Sequence, residues 1–240
     1  AHIRDRNIQV VIPWHQRLWR EIRPPERVGN KAPRLNSVQR RMVSITLVVA
    51  ALAGSAFWIV NFLSNAPQRA QLAYEAGMAR IGPADFRGAI AKFTESIGIR
   101  ETAVAYLERG NAHSNLGESA AALSDWNQAI HIDPNLAAAY TARGTALRVA
   151  GDLQRAILDL DKSLQLAPSV DAYYQRGQAK HTLGDYQQAI SDYSDAIALR
   201  REAPYVYLAR SAAKKALGDD AGALEDRNIA TGLQVSEGDR

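Results

Sequence analysis

The chain has 240 residues, of which 47% are hydrophobic and 22% charged, with 29 Lys and Arg against 25 Asp and Glu. This length and composition exclude a disordered chain or a mini-protein and leave room for one or two domains. Cysteine is absent, which excludes disulfides, Cys-ligated metal centres and thiol catalysis together.

The charge is unevenly placed. Residues 1–41 carry ten Lys or Arg and three Asp or Glu, a local net of +7, and the rest of the chain has a net of −3. A basic tail on a slightly acidic body describes two segments with different surroundings rather than a nucleic-acid binder. Within the tail, Pro13 can open a short helix on which Trp14, Leu18 and Ile22 share one face. Arg17, Arg20 and Arg23 lie on other faces, and Pro24–Pro25 stop the helix. The expected role of Trp14, Arg17, Leu18, Arg20 and Ile22 is contact with the membrane interface, Trp inward and Arg against anionic lipid. Docking onto the cytoplasmic side of another membrane protein is the alternative.

Met42 to Leu63 reads MVSITLVVAALAGSAFWIVNFL, and no charge occurs between Arg41 and Arg69. About 20 apolar helical residues cross the ~30 Å hydrocarbon layer, so 42–63 is expected to be a single, uncleaved transmembrane helix. The positive-inside rule then keeps the N-terminus in the cytoplasm and carries the body across an inner membrane, into a periplasm or lumen. Residues 64–69, SNAPQR, are expected to form a polar linker.

Beyond the linker the sequence repeats itself in five blocks, 70–102, 103–136, 137–169, 170–203 and 204–237, with 238–240 as a C-terminal tail. Block position 8 is Gly77, Gly110, Gly144, Gly177 and Ser211; position 15 is Ala84, Gly117, Gly151, Gly184 and Gly218. Position 20 is Ala89, Ala122, Ala156, Ala189 and Ala223; position 24 is Phe93, Trp126, Leu160 and Tyr193, then Arg227. Each block splits near position 15 into two helical stretches, where Gly stops the first and Asp152, Asp185 or Asp219 is placed to cap the second. Small residues at 8 and 20 let the two helices approach, and no block can bury its apolar face without a neighbour. Arg at position 7 and Asp at position 23 occur together in the last four blocks, as Arg109 with Asp125, Arg143 with Asp159, Arg176 with Asp192 and Arg210 with Asp226. Block 1 lacks both, which predicts an ion pair between the two helices of each later block. A ladder of arginines for an anionic ligand is the alternative. Arg227, where other blocks place a large apolar residue, predicts a solvent-facing terminal cap.

A period of 33–34 with small residues at 8 and 20 and a large apolar residue at 24 resembles the tetratricopeptide repeat. The resemblance covers 70–237, about 70% of the chain. It implies an all-α fold of five helix-turn-helix repeats stacked in a superhelix, here preceded by a single transmembrane helix. It also implies that the first helices of the pairs line a concave, partner-binding face. Carried onto this chain, the groove residues are Tyr74, Asn111, Arg148, Tyr174, Gln178, His181, Tyr205 and Lys215. The first part of this groove is apolar to neutral, and the later part carries a basic stripe beside two tyrosines that would favour an acidic segment. The family's carboxylate clamp is not reproduced, since Leu107 stands where its Lys would be.

The five histidines have no metal-ligand spacing, no glycine-rich phosphate loop occurs, and no Ser/His/Asp set is suggested. The expectation is a chain that is not an enzyme, with no cofactor, metal, nucleic acid or small-molecule substrate. Its expected partners are membrane or periplasmic proteins and the lipid bilayer. The expected function is a membrane-anchored scaffold that assembles or stabilises an inner-membrane complex, as a stable accessory subunit in one version. The alternative is a periplasmic chaperone-like adaptor that captures client peptides in its groove.

Overall fold

The computed structural model describes the backbone of residues 37–238, and their side chains except those at 37–41, 50, 57–63 and 235–238. The expected tail helix around Trp14, Arg17, Leu18, Arg20 and Ile22 lies outside the described residues. The chain divides into two units, residues 1–59 and 60–240.

Helix α1, Ser37–Ser64, accounts for the described part of the first unit. Its described apolar side chains are exposed, with Met42, Ile45, Leu47 and Leu52 each more than 60% accessible. Among the described residues no helix is long and apolar enough to cross a membrane. The stretch 42–63 includes residues 50 and 57–63, whose side chains lie outside that description.

The second unit holds ten helices among the described residues: α2 Ala66–Ile81, α3 Phe86–Ile99, α4 Ala103–Asn115, α5 Ser119–Ile132, α6 Ala137–Val149, α7 Leu153–Leu166, α8 Val170–Leu183, α9 Tyr186–Leu199, α10 Pro204–Ala216 and α11 Asp220–Gly238. Each even-numbered helix packs against the next to form a pair, and each pair stacks on its successor. The polar stretch 64–69 is not a linker: Ser64 ends α1, Ala66 opens α2, and only Asn65 lies between them. Pro67 explains the difference, because in a first turn its missing N–H removes no helical hydrogen bond.

The turns follow from the residues at position 15. Gly117, Gly151, Gly184 and Gly218 have φ between +77° and +86°, a region that costs other residues energy. Ala84 occupies the same place in block 1 with φ 59°. Asp152 and Asp219 accept from the backbone N–H groups of Arg155 and Gly222, as expected of caps, and Asp85 does the same for Gly88. Asp185 makes no side-chain cap.

Inside each pair the alanines at position 20 are all at most 3% exposed. A Cβ added to Gly77, Gly110, Gly144 or Gly177 would lie 2.5–2.9 Å from Phe93, Trp126, Leu160 or Tyr193 respectively. The small residue therefore exists to seat the large one at position 24. In the last repeat Ser211 replaces Gly and donates to the Ala223 carbonyl at 2.7 Å, while Arg227 is exposed. Arg227 thus faces solvent, as the sequence predicts.

The paired Arg and Asp form a ladder. Arg109, Arg143, Arg176 and Arg210 each donate through Nε and Nη2 to both oxygens of Asp125, Asp159, Asp192 and Asp226, at 2.6–3.0 Å. The third guanidinium nitrogen, Nη1, reaches back to the preceding repeat and donates to Thr94, Asn127, Asp161 or Ser194. Each guanidinium also lies 5.3–5.7 Å from the ring centre of Tyr106, Tyr140, Tyr173 or Tyr207, three residues before it. One side chain thus ties together two helices of its own repeat and the neighbouring repeat. With all three guanidinium nitrogens engaged and the charge matched by a dedicated carboxylate, the arginines are structural and offer no ladder to an anionic ligand.

Candidate partner-binding groove

A cavity of about 710 Å³ opens between α4, α5 and α6. Its apolar wall comes from Ile81, Leu123, Trp126 and Val149, and its polar wall from Glu108, Asn111, Ser114 and Thr145. The repeat explains this lining. Positions 9 and 12 of the first helices face the groove, and position 24 supplies the floor from the second helix. Trp126 is 3% exposed and donates its indole N–H to Asn111 Oδ1 at 3.1 Å. Asn111 Nδ2 in turn donates to Glu108 at 3.2 Å. Asn111 is thereby a fixed element of the wall, with both ends of its amide in use.

The other expected groove residues do not gather in this cavity. Tyr74 packs 5.7 Å from Phe93 and lines a second cavity of about 210 Å³ with Pro67, Gln71, Arg100 and Val104. Burial raises the Tyr74 hydroxyl pKa, and the Glu108 carboxylate adds to the shift. Tyr174, Gln178 and Tyr205 do form one cluster. The Tyr174 and Tyr205 rings meet edge-on at 4.9 Å, and Gln178 Nε2 donates to the Tyr174 hydroxyl at 3.1 Å. Burial is also the main cause that raises the Tyr205 pKa, followed by the Asp171 carboxylate. Arg148 is half-buried and donates through Nε to Gln175 Oε1 at 2.9 Å, so it braces the neighbouring repeat. His181 stacks edge-on with Tyr186 at 5.1 Å. Lys215 is exposed. The array therefore carries two separate features: a cavity with one apolar and one polar wall and a carboxylate in the early repeats, and a cluster of Tyr174, Tyr205 and Gln178 in the later ones.

Sequence reasoning missed Glu108 and Trp126 as groove residues, and also Tyr106, Tyr140, Tyr173 and Tyr207 beneath the arginines. The tyrosines had a visible signal, since they recur at block position 4 in the same four blocks that hold the Arg–Asp pair. Glu108 had none, because position 6 is Glu75, Glu108, Ala142, Gln175 and Ala209 with no regularity. Among the described residues no group of three His, Asp or Glu is placed to hold a metal ion.

Residues 107–171 and 170–202 each match the tetratricopeptide repeat. Among curated proteins, sperm-associated antigen 1 of Mus musculus is 33% identical over 103 residues, which is 43% of this chain and 11% of that protein. Tetratricopeptide repeat protein 36 of Danio rerio is 32% identical over 99 residues, 39% of this chain and 53% of that protein. The chain thus spans about a tenth of the first relative's length and about half of the second's. Among solved structures, one of MamA is similar with TM-score 0.61 and 22% identity, covering 68% of this chain and 97% of that one. MamA of Desulfovibrio magneticus RS-1 is similar with TM-score 0.63 and 19% identity, covering 70% and 96%. At such identities the structural likeness speaks for the fold alone. The matched residues identify 107–202 as tetratricopeptide repeats, and the structural likeness extends the same fold of stacked helix pairs over the second unit.

Proposed function

We propose that this chain is a membrane-anchored scaffold whose repeats hold partner proteins of an inner-membrane complex, with the repeats on the periplasmic or lumenal side. The observation that carries the reading is the coincidence of helix Ser37–Ser64 with the charge-free run 42–63. A helix of 28 residues is about 42 Å long at 1.5 Å per residue, more than the hydrocarbon layer requires. Its described Met, Val, Ile and Leu side chains are exposed, which water disfavours and lipid does not. The basic excess before the run supports the orientation. A topology reporter fused after Arg240 is expected to be active only outside the cytoplasm, and activity confined to the cytoplasm would refute the orientation. Purification in mild detergent is expected to retain a stoichiometric partner. Substoichiometric capture of varied clients would favour the chaperone-like adaptor instead, a reading that the open cavity beside Trp126 supports.

In the later repeats, the groove reading assigns Arg148, His181 and Lys215, beside Tyr174 and Tyr205, to contact with an acidic segment of the partner. Arg148→Glu combined with Lys215→Glu is expected to abolish partner capture at a small cost in thermal stability, since Arg148 gives up its bond to Gln175. Equal capture by the double variant and the unmutated chain would refute that assignment.

A further inference from the structure

We infer that the cavity between α4, α5 and α6 is specific for a partner segment that carries an apolar side chain next to a basic one. The apolar group enters the cavity and the cation pairs with Glu108. The inference rests on the scaffold reading and names the chemistry of the partner for the early repeats.

Among the residues that line this cavity Glu108 is the only charged one, and the wall opposite it is Ile81, Leu123, Trp126 and Val149. The hydrogen-bond chain from Trp126 through Asn111 ends on Glu108 Oε2 and fixes which oxygen is already engaged. Glu108 has no ion-pair partner among the described residues. Its situation differs from that of Asp125, Asp159, Asp192 and Asp226, each matched by a dedicated arginine. A half-buried carboxylate against an apolar wall loses hydration without gaining a countercharge, so an incoming Lys or Arg supplies what the fold leaves out. Further along the array Arg148 and Lys215 present the opposite sign. A segment with its basic residue at the α4–α6 end therefore lies in one direction only. Glu108 also disfavours a negatively charged segment at this end.

The test uses the full chain in a non-ionic detergent and two fluorescently labelled amphipathic peptides, identical in their Leu positions, one with Lys and one with Glu at the polar positions. Anisotropy is expected to show binding of the Lys peptide. Glu108→Gln keeps an acceptor for Asn111 and should weaken that binding about tenfold, the scale of one desolvated ion pair. Glu108→Lys should reverse the preference toward the Glu peptide. Unchanged affinity of Glu108→Gln for the Lys peptide overturns the inference, and leaves the scaffold reading to stand or fall on the detergent purification.

Discussion

Asp192→Ala is the substitution that measures what the arginine ladder contributes. The Asp192 side chain is 3% exposed and accepts from Arg176 Nε at 3.0 Å, Arg176 Nη2 at 2.6 Å and Lys180 Nζ at 2.9 Å. Its removal strands two cations that are themselves only 18% and 14% exposed. Breaking such a pair from one side costs about 3–5 kcal/mol. The lower end applies here, because Arg176 keeps Asp161 through Nη1 at 2.6 Å and Lys180 can turn toward water. A loss of about 3 kcal/mol corresponds to a fall in Tm of about 6–12 °C for a unit of this size. Asp161→Ala is the internal control. That carboxylate is 40% exposed and makes one contact to the same guanidinium, so its removal should cost about 0.5–1 kcal/mol. Thermal melts by circular dichroism give the global effect. Hydrogen exchange should place the loss in α8 and α9, since repeat arrays open locally. If Asp161→Ala costs as much as Asp192→Ala, the ladder acts between repeats rather than within them and the reasoning is refuted.

Further expectations follow from the turns, the helix contacts and the charges. Ala84→Gly should stabilise by about 0.5–1 kcal/mol in a urea titration, because φ 59° strains Ala84 more than the added unfolded-state freedom costs; a loss of stability would show the turn to be relaxed. Gly177→Ala should destabilise by about 1–3 kcal/mol, since the new Cβ would meet Tyr193 Cε1 at 2.5 Å. Gly98→Ala, with nothing within 4 Å, should instead gain a few tenths of a kcal/mol. Comparable losses in the two glycine variants would remove the packing explanation. Burial raises the Asp226 carboxyl, but hydrogen bonds from Arg210 and Lys214 outweigh it and hold the group below its ordinary 3.8. A pKa lower in the folded state stabilises above the ordinary value, and that stabilisation fades as pH falls through the folded one. Melts from about pH 5 down to about pH 2 should therefore show a steeper acid loss in the unmutated chain than in Asp226→Asn, and parallel curves would count against it.

The fold was legible because its determinants recur. Gly at 8, Gly at 15, Ala at 20 and the Arg–Asp separation each appear four or five times, so accident is averaged out and the pairing of helices follows from one repeat's logic. Departures were legible in the same way. Ala84 marks the strained turn, Ser211 and Arg227 mark the polar end, and the missing Arg in block 1 matches the absence of a preceding repeat for its Nη1 to reach. Residues 64–69 read as a linker by their polar composition, but Pro67 in a first turn is a helix-start signal and the helix opens at Ala66.

The groove was legible only in outline, for the opposite reason. A scaffold can share its structural residues among all repeats, but a binding surface must differ from repeat to repeat if it is to recognise a partner that is not itself periodic. Position 6 illustrates this: Glu108 faces the cavity, whereas Ala142 lines it without charge and Gln175 holds Arg148. Position counting puts Asn111 among the groove residues but does not show that Trp126 and Glu108 hold both ends of its amide at the cavity wall. Nor could it show that Arg148 is engaged by the next repeat. On the proposed reading specificity resides in the residues that break the pattern, and Glu108, a half-buried charge that the ladder does not serve, is the clearest of them.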